Sequence, residues 1–382
     1  MLRSAITLTQ VLGACHAPDG RPVAPVLGLL AEGDYDWPAL EAEGRHAAHP
    51  YQLRRMRWVA RGAAEVAAMY RLSPDPAWPA QLSVPEDGLY GFRDCAAWIV
   101  FGAMTEGYVA PLRPRAVFCA DVLYRYVIQP ISWFTPELRD LMARTFLGWR
   151  HARAVFATTP GTAADATSFA GVARERVMLL PTLVDPPSGK LPPRRPPGRS
   201  ILWVTNGAPH KNQMRTLAAL RRYWDELGGS YDVVICGAGT EDLRPGASEH
   251  EMARALVADA ALAGRIRILG RVSDAAYLAA LADSAFVLHN ALTDNGTFVA
   301  FDAARAGRYF VSSDYPAMRY LAERYGVDTI WFPPRDVAAT AAALARAEAA
   351  VHAGQTPHHA LRADDPQERQ RGYQTMLERV LA

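Results

Sequence analysis

The chain has 382 residues, of which half are apolar, and it carries 28 glycines, 28 prolines and a formal net charge of +2. That length is enough for two hydrophobic cores of about 180 residues each, so we predict two domains. The small net charge disfavours a nucleic-acid partner, and four scattered cysteines without metal-binding spacing indicate reduced thiols in a cytoplasmic protein.

The first 110 residues carry the weakest periodicity. We predict a strand at 5–12 and a helix at 51–70, on which an apolar stripe is surrounded by Arg54, Arg55, Arg57, Trp58 and Arg61. Such a basic helix can rest on an anionic membrane, which would give a peripheral contact with the cytoplasmic face of the inner membrane. An arginine-rich surface helix of a soluble domain fits the same residues, and both interpretations stay open.

Strands and helices alternate from residue 115 onwards. The segment 115–121 is predicted to be a buried strand that ends in a carboxylate, and it is followed by helices at 135–152 and 162–169 and by strands at 154–158 and 177–180. This alternation is typical of a parallel sheet with helices on both faces. Because such sheets bind ligands beyond the carboxyl ends of their strands, Asp121 is a candidate functional residue of an N-terminal domain, residues 1–184.

A proline-rich segment at 185–199 is predicted to be an extended linker. A C-terminal domain at 200–360 follows, with predicted strands at 201–205, 231–236, 266–269, 285–289 and 309–312 and helices at 213–227, 249–263 and 273–282. Residues 361–382 are predicted to form a last helix that crosses back to the N-terminal domain. The predicted fold class is therefore α/β, with two Rossmann-like, doubly wound parallel-sheet domains facing each other across a cleft.

Residues 293–307 are predicted to be a tight loop followed by a short helix. Asn295 and Gly296 supply a turn, Thr297 can cap the helix, and Gly307 stands where the helix would end. The N–H groups at the start of a helix attract anions, because they have no backbone partner and the helix dipole is positive there. The start of this helix is therefore a candidate phosphate site.

Two aspartates flank the predicted helix start. Asp294 precedes the loop, and Asp302 follows eight residues later, about one and a half turns into the helix. Aspartate is a poor helix former in mid-helix, so its presence at position 302 needs a cause. A ligand contact and an ordinary solvated ion pair with Arg305 explain it equally well from the sequence.

A second candidate phosphate contact lies in the loop after the predicted 201–205 strand, Asn206-Gly-Ala-Pro-His-Lys-Asn212. Only Lys190 and Lys211 are lysines among the 41 basic residues, so a compact ammonium in this loop stands out. Because the loop leads from a strand end to the start of a helix, Lys211 is expected where an anion can bind. An exposed lysine in a glycine- and proline-containing turn is the plainer alternative.

Several common ligand motifs are missing or incomplete. The Gly-Ala-Gly at 237–239 follows a strand, but Glu241 and Asp242 come next and would repel a pyrophosphate, which disfavours NAD. The sequence has no P-loop and no nucleophile elbow. Asp34 and Asp36 fit an acidic turn better than a metal site. We therefore predict no bound metal and no cofactor.

The order of these motifs resembles the retaining glycosyltransferases with the GT-B fold that form family 4. The resemblance spans roughly residues 115–340 and is carried by Pro209-His-Lys-Asn212, Gly237-Ala-Gly239, Ile268-Leu-Gly-Arg-Val-Ser273, the Asp294/Asp302 pair and Asp314-Tyr-Pro-Ala-Met318. It implies a metal-independent hexosyltransferase with a GDP- or UDP-linked sugar as donor and a saccharide or lipid-linked acceptor. Asp294-Asn-Gly-Thr-Phe298 is most similar to transferases of bacterial surface polysaccharides such as lipopolysaccharide, often mannosyltransferases.

The resemblance also assigns roles to individual residues. Lys211 would neutralise the donor diphosphate together with the N–H groups of 295–297, Asp294 would contact the sugar hydroxyls, and Asp302 would hold the ribose. The predicted catalytic residues are Asp294, Lys211 and Asp121. The predicted donor-binding residues are Asn206, Gly207, His210, Lys211, Asn295, Gly296, Thr297, Phe298 and Asp302.

Three departures from the family pattern leave alternatives open. Both acidic residues are aspartates where the family has glutamates, Asn206 replaces an arginine, and Cys119-Ala-Asp121 replaces a histidine of the first domain. The phosphate site would then carry one cation fewer. A GT-B enzyme of another reaction, such as a sugar-nucleotide epimerase, and a catalytically impaired GT-B binding subunit are therefore the alternatives to a glycosyltransferase.

Overall fold

The computed structural model describes residues 2–33, 35–87, 92, 94–101, 108–126, 136–183, 196–362 and 364–382. The chain divides into two compact units. The N-terminal unit comprises Met1–Arg125, Gln129–Asp185 and Asp364–Ala382, and the C-terminal unit comprises Tyr126–Ile128 and Pro186–Ala363. Most of the predicted linker at 185–199 lies outside the described residues.

Residues 2–85 form helices and two small sheets. The elements in chain order are α1 (Leu2–Gly13), β1 (Val26–Leu30), α2 (Trp37–His46), β2 (Gln52–Met56), β3 (Trp58–Gly62), α3 (Ala63–Tyr70) and β4 (Gln81–Pro85). Strands β1 and β2 pair in parallel, and β3 and β4 pair antiparallel. The predictions of a strand at 5–12 and of a single helix at 51–70 are therefore wrong.

The basic segment becomes two strands because its partners lie elsewhere in the chain. Strand β2 pairs with β1, β3 pairs with β4, and the helical spacing of the apolar residues is overridden by this tertiary pairing. The arginines do not share one helical face. Arg54 makes two hydrogen bonds to Asp94, and Arg57 pairs with Glu32. The predicted membrane contact required this helix, and the helix is absent because residues 52–62 form β2 and β3.

The larger sheet of the N-terminal unit has four parallel strands in chain order. They are β5 (Trp98–Val100), β6 (Arg115–Phe118), β7 (Ala154–Ala157) and β8 (Val177–Leu179), and they are accompanied by α4 (Pro136–Arg150) and α5 (Pro160–Ser168). Val117, Val155 and Trp149 pack together in the core on one side of this sheet. The strands and helices predicted between residues 115 and 180 are confirmed to within three residues at the ends that the structure describes; the largest difference is at the strand predicted at 115–121, which ends at Phe118.

The C-terminal unit is built on six parallel strands. They are β9 (Ser200–Val204), β10 (Asp232–Cys236), β11 (Ile266–Gly270), β12 (Phe286–His289), β13 (Tyr309–Ser313) and β14 (Thr329–Phe332). Its helices are α6 (Gln213–Asp225), α7 (Glu251–Ala258), α8 (Ala260–Gly264), α9 (Asp274–Asp283), α10 (Val299–Arg305), α11 (Pro316–Tyr325) and α12 (Val337–His352). The helix predicted at 249–263 is split, because the Asp259 side chain accepts a hydrogen bond from the Leu262 N–H and starts a new helix.

The strand order of this sheet is β11-β10-β9-β12-β13-β14. From β9 the chain adds β10 and β11 towards one edge of the sheet. It then returns to the other side of β9 and adds β12, β13 and β14 towards the opposite edge. In doubly wound sheets this reversal opens a crevice beyond the carboxyl ends of the two central strands, and ligands bind there. The loops that follow β9 and β12 carry Lys211 and Asp294, respectively.

The last helix, α13 (Pro366–Leu381), belongs to the N-terminal unit. Its residues Tyr373, Met376 and Val380 share an apolar core with Leu8 and with Phe156 of β7. Among the described residues, every helix is too short or too polar to cross a lipid bilayer.

Candidate active site

The loops after β9 and β12 are joined by hydrogen bonds at the carboxyl edge of the sheet. The Leu292 N–H donates to the His210 carbonyl at 2.7 Å. The buried Asn212 side chain donates from Nδ2 to Asn290 Oδ1 at 3.1 Å and to the Pro334 carbonyl at 2.6 Å. The two loops are therefore held in a fixed relation by backbone and by buried amide groups.

Lys211 and Asp294 meet between these loops. Lys211 ends a single 3-10 turn, Pro209–Lys211, and its Nζ donates to Asp294 Oδ2. Their side chains are only 16% and 14% exposed, respectively. The two residues that were predicted to contact different parts of one ligand thus lie in contact with each other. The plainer reading of Lys211, an exposed side chain in a turn, does not hold.

The surroundings of this pair fix its charge state. Burial would raise the pKa of the Asp294 carboxyl, but the Lys211 ammonium outweighs it and holds that pKa below its usual value. Burial and the same ammonium lower the pKa of His210 to about 4 and that of His289 to about 3. Both imidazoles are therefore neutral at pH 7, and the charged groups of these two loops are one ammonium and one carboxylate.

The low pKa of His289 predicts acid sensitivity. Its Nε2 shares a 2.9 Å hydrogen bond with the Tyr315 hydroxyl, and the ring is buried. Between pH 6.5 and 4 the unfolded chain binds a proton at this position that the folded chain does not, so the free energy of unfolding falls as the pH falls. At pH 4.5 the loss for this one group is about 3 kcal/mol, two pH units at about 1.4 kcal/mol each.

We therefore expect His289→Gln to lose about 3 kcal/mol less stability than the parent between pH 7 and pH 4.5, as measured by urea denaturation. His210 and Asp294 stay unchanged in the variant, so their contributions cancel in the comparison. His16→Gln is the matched control, because His16 lies on the surface, and it should keep the parental loss. An equal loss in the parent and in His289→Gln would contradict this account.

The loop that presents Lys211 is shaped by Asn206 and by two side chains that were not predicted to have a role, Gln213 and His250. Asn206 Oδ1 accepts from the Ala208 N–H at 3.0 Å. Gln213 Nε2 donates to the carbonyls of Asn206 and Ala208 at 2.6 and 2.9 Å. His250 Nε2 contacts the Gly207 carbonyl at 3.0 Å. Three loop carbonyls are thereby occupied, and Asn206, a predicted donor-binding residue, uses its side-chain oxygen within the loop.

The loop after Asp294 requires a glycine. Gly296 has a φ of +91°, and a Cβ at this position would lie 2.0 Å from Leu321 Cδ1. The Asn295 N–H donates to Asp294 Oδ1 at 2.8 Å, and Thr297 Oγ1 accepts from the Val299 N–H at 3.4 Å. In the part of the chain that the structure describes, no acceptor contacts the N–H of Gly296 or of Thr297.

Phe298 and Asp302 occupy opposite environments. The Phe298 ring is 37% exposed at the start of α10, whereas Asp302 is only 3% exposed. Asp302 Oδ2 accepts from the Tyr277 hydroxyl at 2.9 Å, and its Oδ1 lies 3.5 Å from Arg305 Nη1. The ion pair with Arg305 that was one explanation for Asp302 is present. It is not the solvated surface pair that was predicted, because the carboxylate is buried and is also bonded to α9.

Asp121, the third predicted catalytic residue, belongs to the N-terminal unit. It lies beyond the carboxyl end of β6, is half-buried, and accepts a hydrogen bond from the Leu123 N–H at 3.4 Å. Its catalytic role stays a prediction.

The C-terminal unit matches a known family. Residues 198–349 match the family model described as Glycosyl transferases group 1, and this segment contains all six strands and both loops of the site. This part of the chain is therefore similar to the group 1 glycosyltransferases. The match covers less than half of the chain. No curated protein matches the chain.

Several solved structures resemble the chain over most of its length. Alr3699/HepE from Anabaena, in complex with UDP and glucose, is 14% identical and has a TM-score of 0.55 over 99% of this chain and 90% of that chain. A glycosyltransferase from Rickettsia africae ESF-5 is 10% identical, with a TM-score of 0.53 over 99% and 91%, respectively. Sucrose-phosphate synthase from Thermosynechococcus elongatus is 14% identical, with a TM-score of 0.50 over 78% and 75%. Likenesses at such identities show the fold alone, and they confirm the predicted α/β fold of GT-B type.

Proposed function

We propose that this protein is a glycosyltransferase that moves a hexose from a nucleoside diphosphate sugar to a saccharide or lipid-linked acceptor. The observation that carries the proposal is the Lys211–Asp294 pair at the carboxyl edge of the sheet, inside the group 1 domain. A cation that suits a diphosphate and a carboxylate that suits sugar hydroxyls lie side by side where doubly wound sheets bind ligands.

The site offers the electrostatic stabilisation that this reaction needs. When the diphosphate leaves, negative charge develops on its oxygens, and donors that are already in place stabilise that charge at little reorganisation cost. We assign this role to Lys211 Nζ and to the N–H groups of Gly296 and Thr297. We assign Asp294 to the sugar hydroxyls and Asp302 to the ribose. The leaving phosphate would take the acceptor proton, as the family resemblance implies.

We infer the donor nucleotide, the stereochemistry and the pathway from similar proteins. Alr3699/HepE binds UDP, glucose and UDP-glucose in its solved structures, which supports a UDP-linked hexose as donor. A GDP-linked donor such as a mannosyl nucleotide is the alternative suggested by the sequence 294–298. Retention of the anomeric configuration, a role in surface-polysaccharide synthesis, and the independence from metal and cofactor follow from the family resemblance.

Two rival functions make different predictions. A sugar-nucleotide epimerase of the same fold would convert its substrate without any acceptor. A catalytically impaired binding subunit would show no transfer with any acceptor. The group 1 match over residues 198–349 favours neither rival.

A thermal-shift panel of UDP- and GDP-linked hexoses tests the proposal. A ligand at 100 times its Kd stabilises the folded protein by about 2.7 kcal/mol, which corresponds to a rise in Tm of roughly 5 to 10 °C for a domain of this size. We expect one nucleotide sugar to give such a rise and the free hexose to give none. The absence of a shift with every nucleotide sugar of the panel would contradict the proposal.

A further inference from the structure

We propose that the Lys211–Asp294 ion pair is a self-neutralised resting state that the donor must open. In this state the Asp294 carboxylate is bonded to the Lys211 ammonium, which is the group that would bind a diphosphate. The Lys211 ammonium in turn is bonded to the Asp294 carboxylate, which is the group that would bind the sugar hydroxyls. A nucleotide sugar gives both side chains a new partner, because its diphosphate binds Lys211 and its sugar hydroxyls bind Asp294. A nucleoside diphosphate gives a new partner to Lys211 only. The inference rests on the proposed function and concerns the order of affinities at the same site.

The position of the pair is set by the two loops. The two loops are joined at the residues that precede and follow Lys211, by the backbone hydrogen bond between His210 and Leu292 and by the side-chain hydrogen bond between Asn212 and Asn290. Lys211 and Asp294 are therefore brought together by the β9 and β12 loops, and their low exposure leaves little water to screen them. An ion pair in such a place competes effectively with an incoming anion.

The charge of Asp294 affects the binding of a nucleoside diphosphate and of a nucleotide sugar differently. A diphosphate that approaches Lys211 meets the Asp294 carboxylate, which repels it and is also left without its cation. When a sugar is attached, its hydroxyls donate hydrogen bonds to the displaced carboxylate and compensate for the lost ion pair. After transfer the sugar has gone, so Asp294 competes for Lys211 again and favours release of the nucleoside diphosphate product. The pair thus sets the preference for donor over product.

Asp294→Asn separates this inference from a purely attractive role of Asp294. Asparagine has nearly the same shape, and its carbonyl can still accept from the Asn295 N–H, but it carries no charge. Asp294→Ser is a second, smaller neutral variant. Asp232→Asn is the matched control, because Asp232 pairs with Arg265 and is the first residue of β10, at the opposite edge of the parallel sheet.

Isothermal titration with UDP, GDP and the corresponding nucleotide hexoses measures the effect. We expect Asp294→Asn and Asp294→Ser to bind the nucleoside diphosphate on the order of tenfold more tightly than the parent, with a smaller preference for the nucleotide sugar. Asp232→Asn should match the parent. Parental or weaker diphosphate affinity in both Asp294 variants, or equal tightening in Asp232→Asn, would overturn the inference and leave the proposed function standing. Failure of the parent to bind any of these nucleotides would overturn the proposed function and the inference together.

Discussion

Lys211→Met is expected to weaken nucleoside diphosphate binding by roughly ten- to a hundredfold. A charged hydrogen bond to a phosphate contributes about 1.5 to 3 kcal/mol, and each 1.4 kcal/mol is a factor of ten in Kd. Lys211 is the cation that the site presents from the β9 loop, and both neighbouring histidines are neutral at pH 7. The measurement is isothermal titration with the nucleotide that binds the parent most tightly.

The same substitution is also expected to lower the free energy of unfolding. Lys211→Met leaves the Asp294 carboxylate without its partner at 14% exposure, and breaking such a pair destabilises by about 3 kcal/mol. The double variant Lys211→Met/Asp294→Asn is the matched control, since it replaces the ion pair by two neutral side chains of similar size. It should recover most of the melting temperature and still bind the diphosphate weakly. Parental affinity in the double variant would show that Lys211 does not contact the ligand.

Asp302→Ala is expected to raise the KM for the donor by about tenfold or more, because the ribose hydroxyls would lose a charged acceptor. It should also destabilise the fold by about 1.5 to 3 kcal/mol, since the Tyr277 hydroxyl would lose its buried partner. Stability alone therefore cannot report on the ligand role. Steady-state kinetics beside the melting temperature separates the two effects.

Tyr277→Phe is the control for Asp302→Ala. It removes the same buried hydrogen bond and leaves the carboxylate in place, so it should share much of the stability loss and keep the parental donor KM. An equal rise of KM in both variants, or in neither, would mean that Asp302 stabilises α10 against α9 and does not hold the ribose.

The fold of the C-terminal unit could be predicted because its signals are local. Each strand from β9 to β13 is a short apolar run, and helix starts are marked by capping side chains such as Ser273, which accepts from the Ala276 N–H at 3.3 Å. The strand β14 was not predicted. The N-terminal segment failed for the opposite reason, since β2 and β3 are strands only because β1 and β4 pair with them.

The composition of the site could be predicted, but its contacts could not. Lys211 was conspicuous as a rare lysine, and Asp294 and Asp302 were conspicuous around a loop that starts a helix. Their mutual arrangement depends on β12 lying beside β9, a neighbour relation that no local pattern encodes. The same holds for Tyr277, which lies 25 residues before Asp302 and reaches its carboxylate from α9.

The polar residues that hold the Lys211 loop escaped prediction because their types are ordinary. Gln213 and His250 act through backbone carbonyls, and nothing in their spacing indicates it. The turn at Asn212 was weakly indicated by its residue type. Asparagine tolerates the left-handed backbone conformation that it adopts here at a φ of +58°. An asparagine directly before a helix is a reason to look for such a turn.

We propose that the loops after β9 and β12 bind the diphosphate of a nucleotide sugar. A crystal structure of the protein with the nucleoside diphosphate that binds it most tightly tests this directly. We expect diphosphate oxygens within hydrogen-bonding distance of Lys211 Nζ and of the Gly296 and Thr297 N–H groups, and we expect the Lys211–Asp294 contact to be broken. A nucleotide bound elsewhere while the Lys211–Asp294 pair stays closed would contradict it.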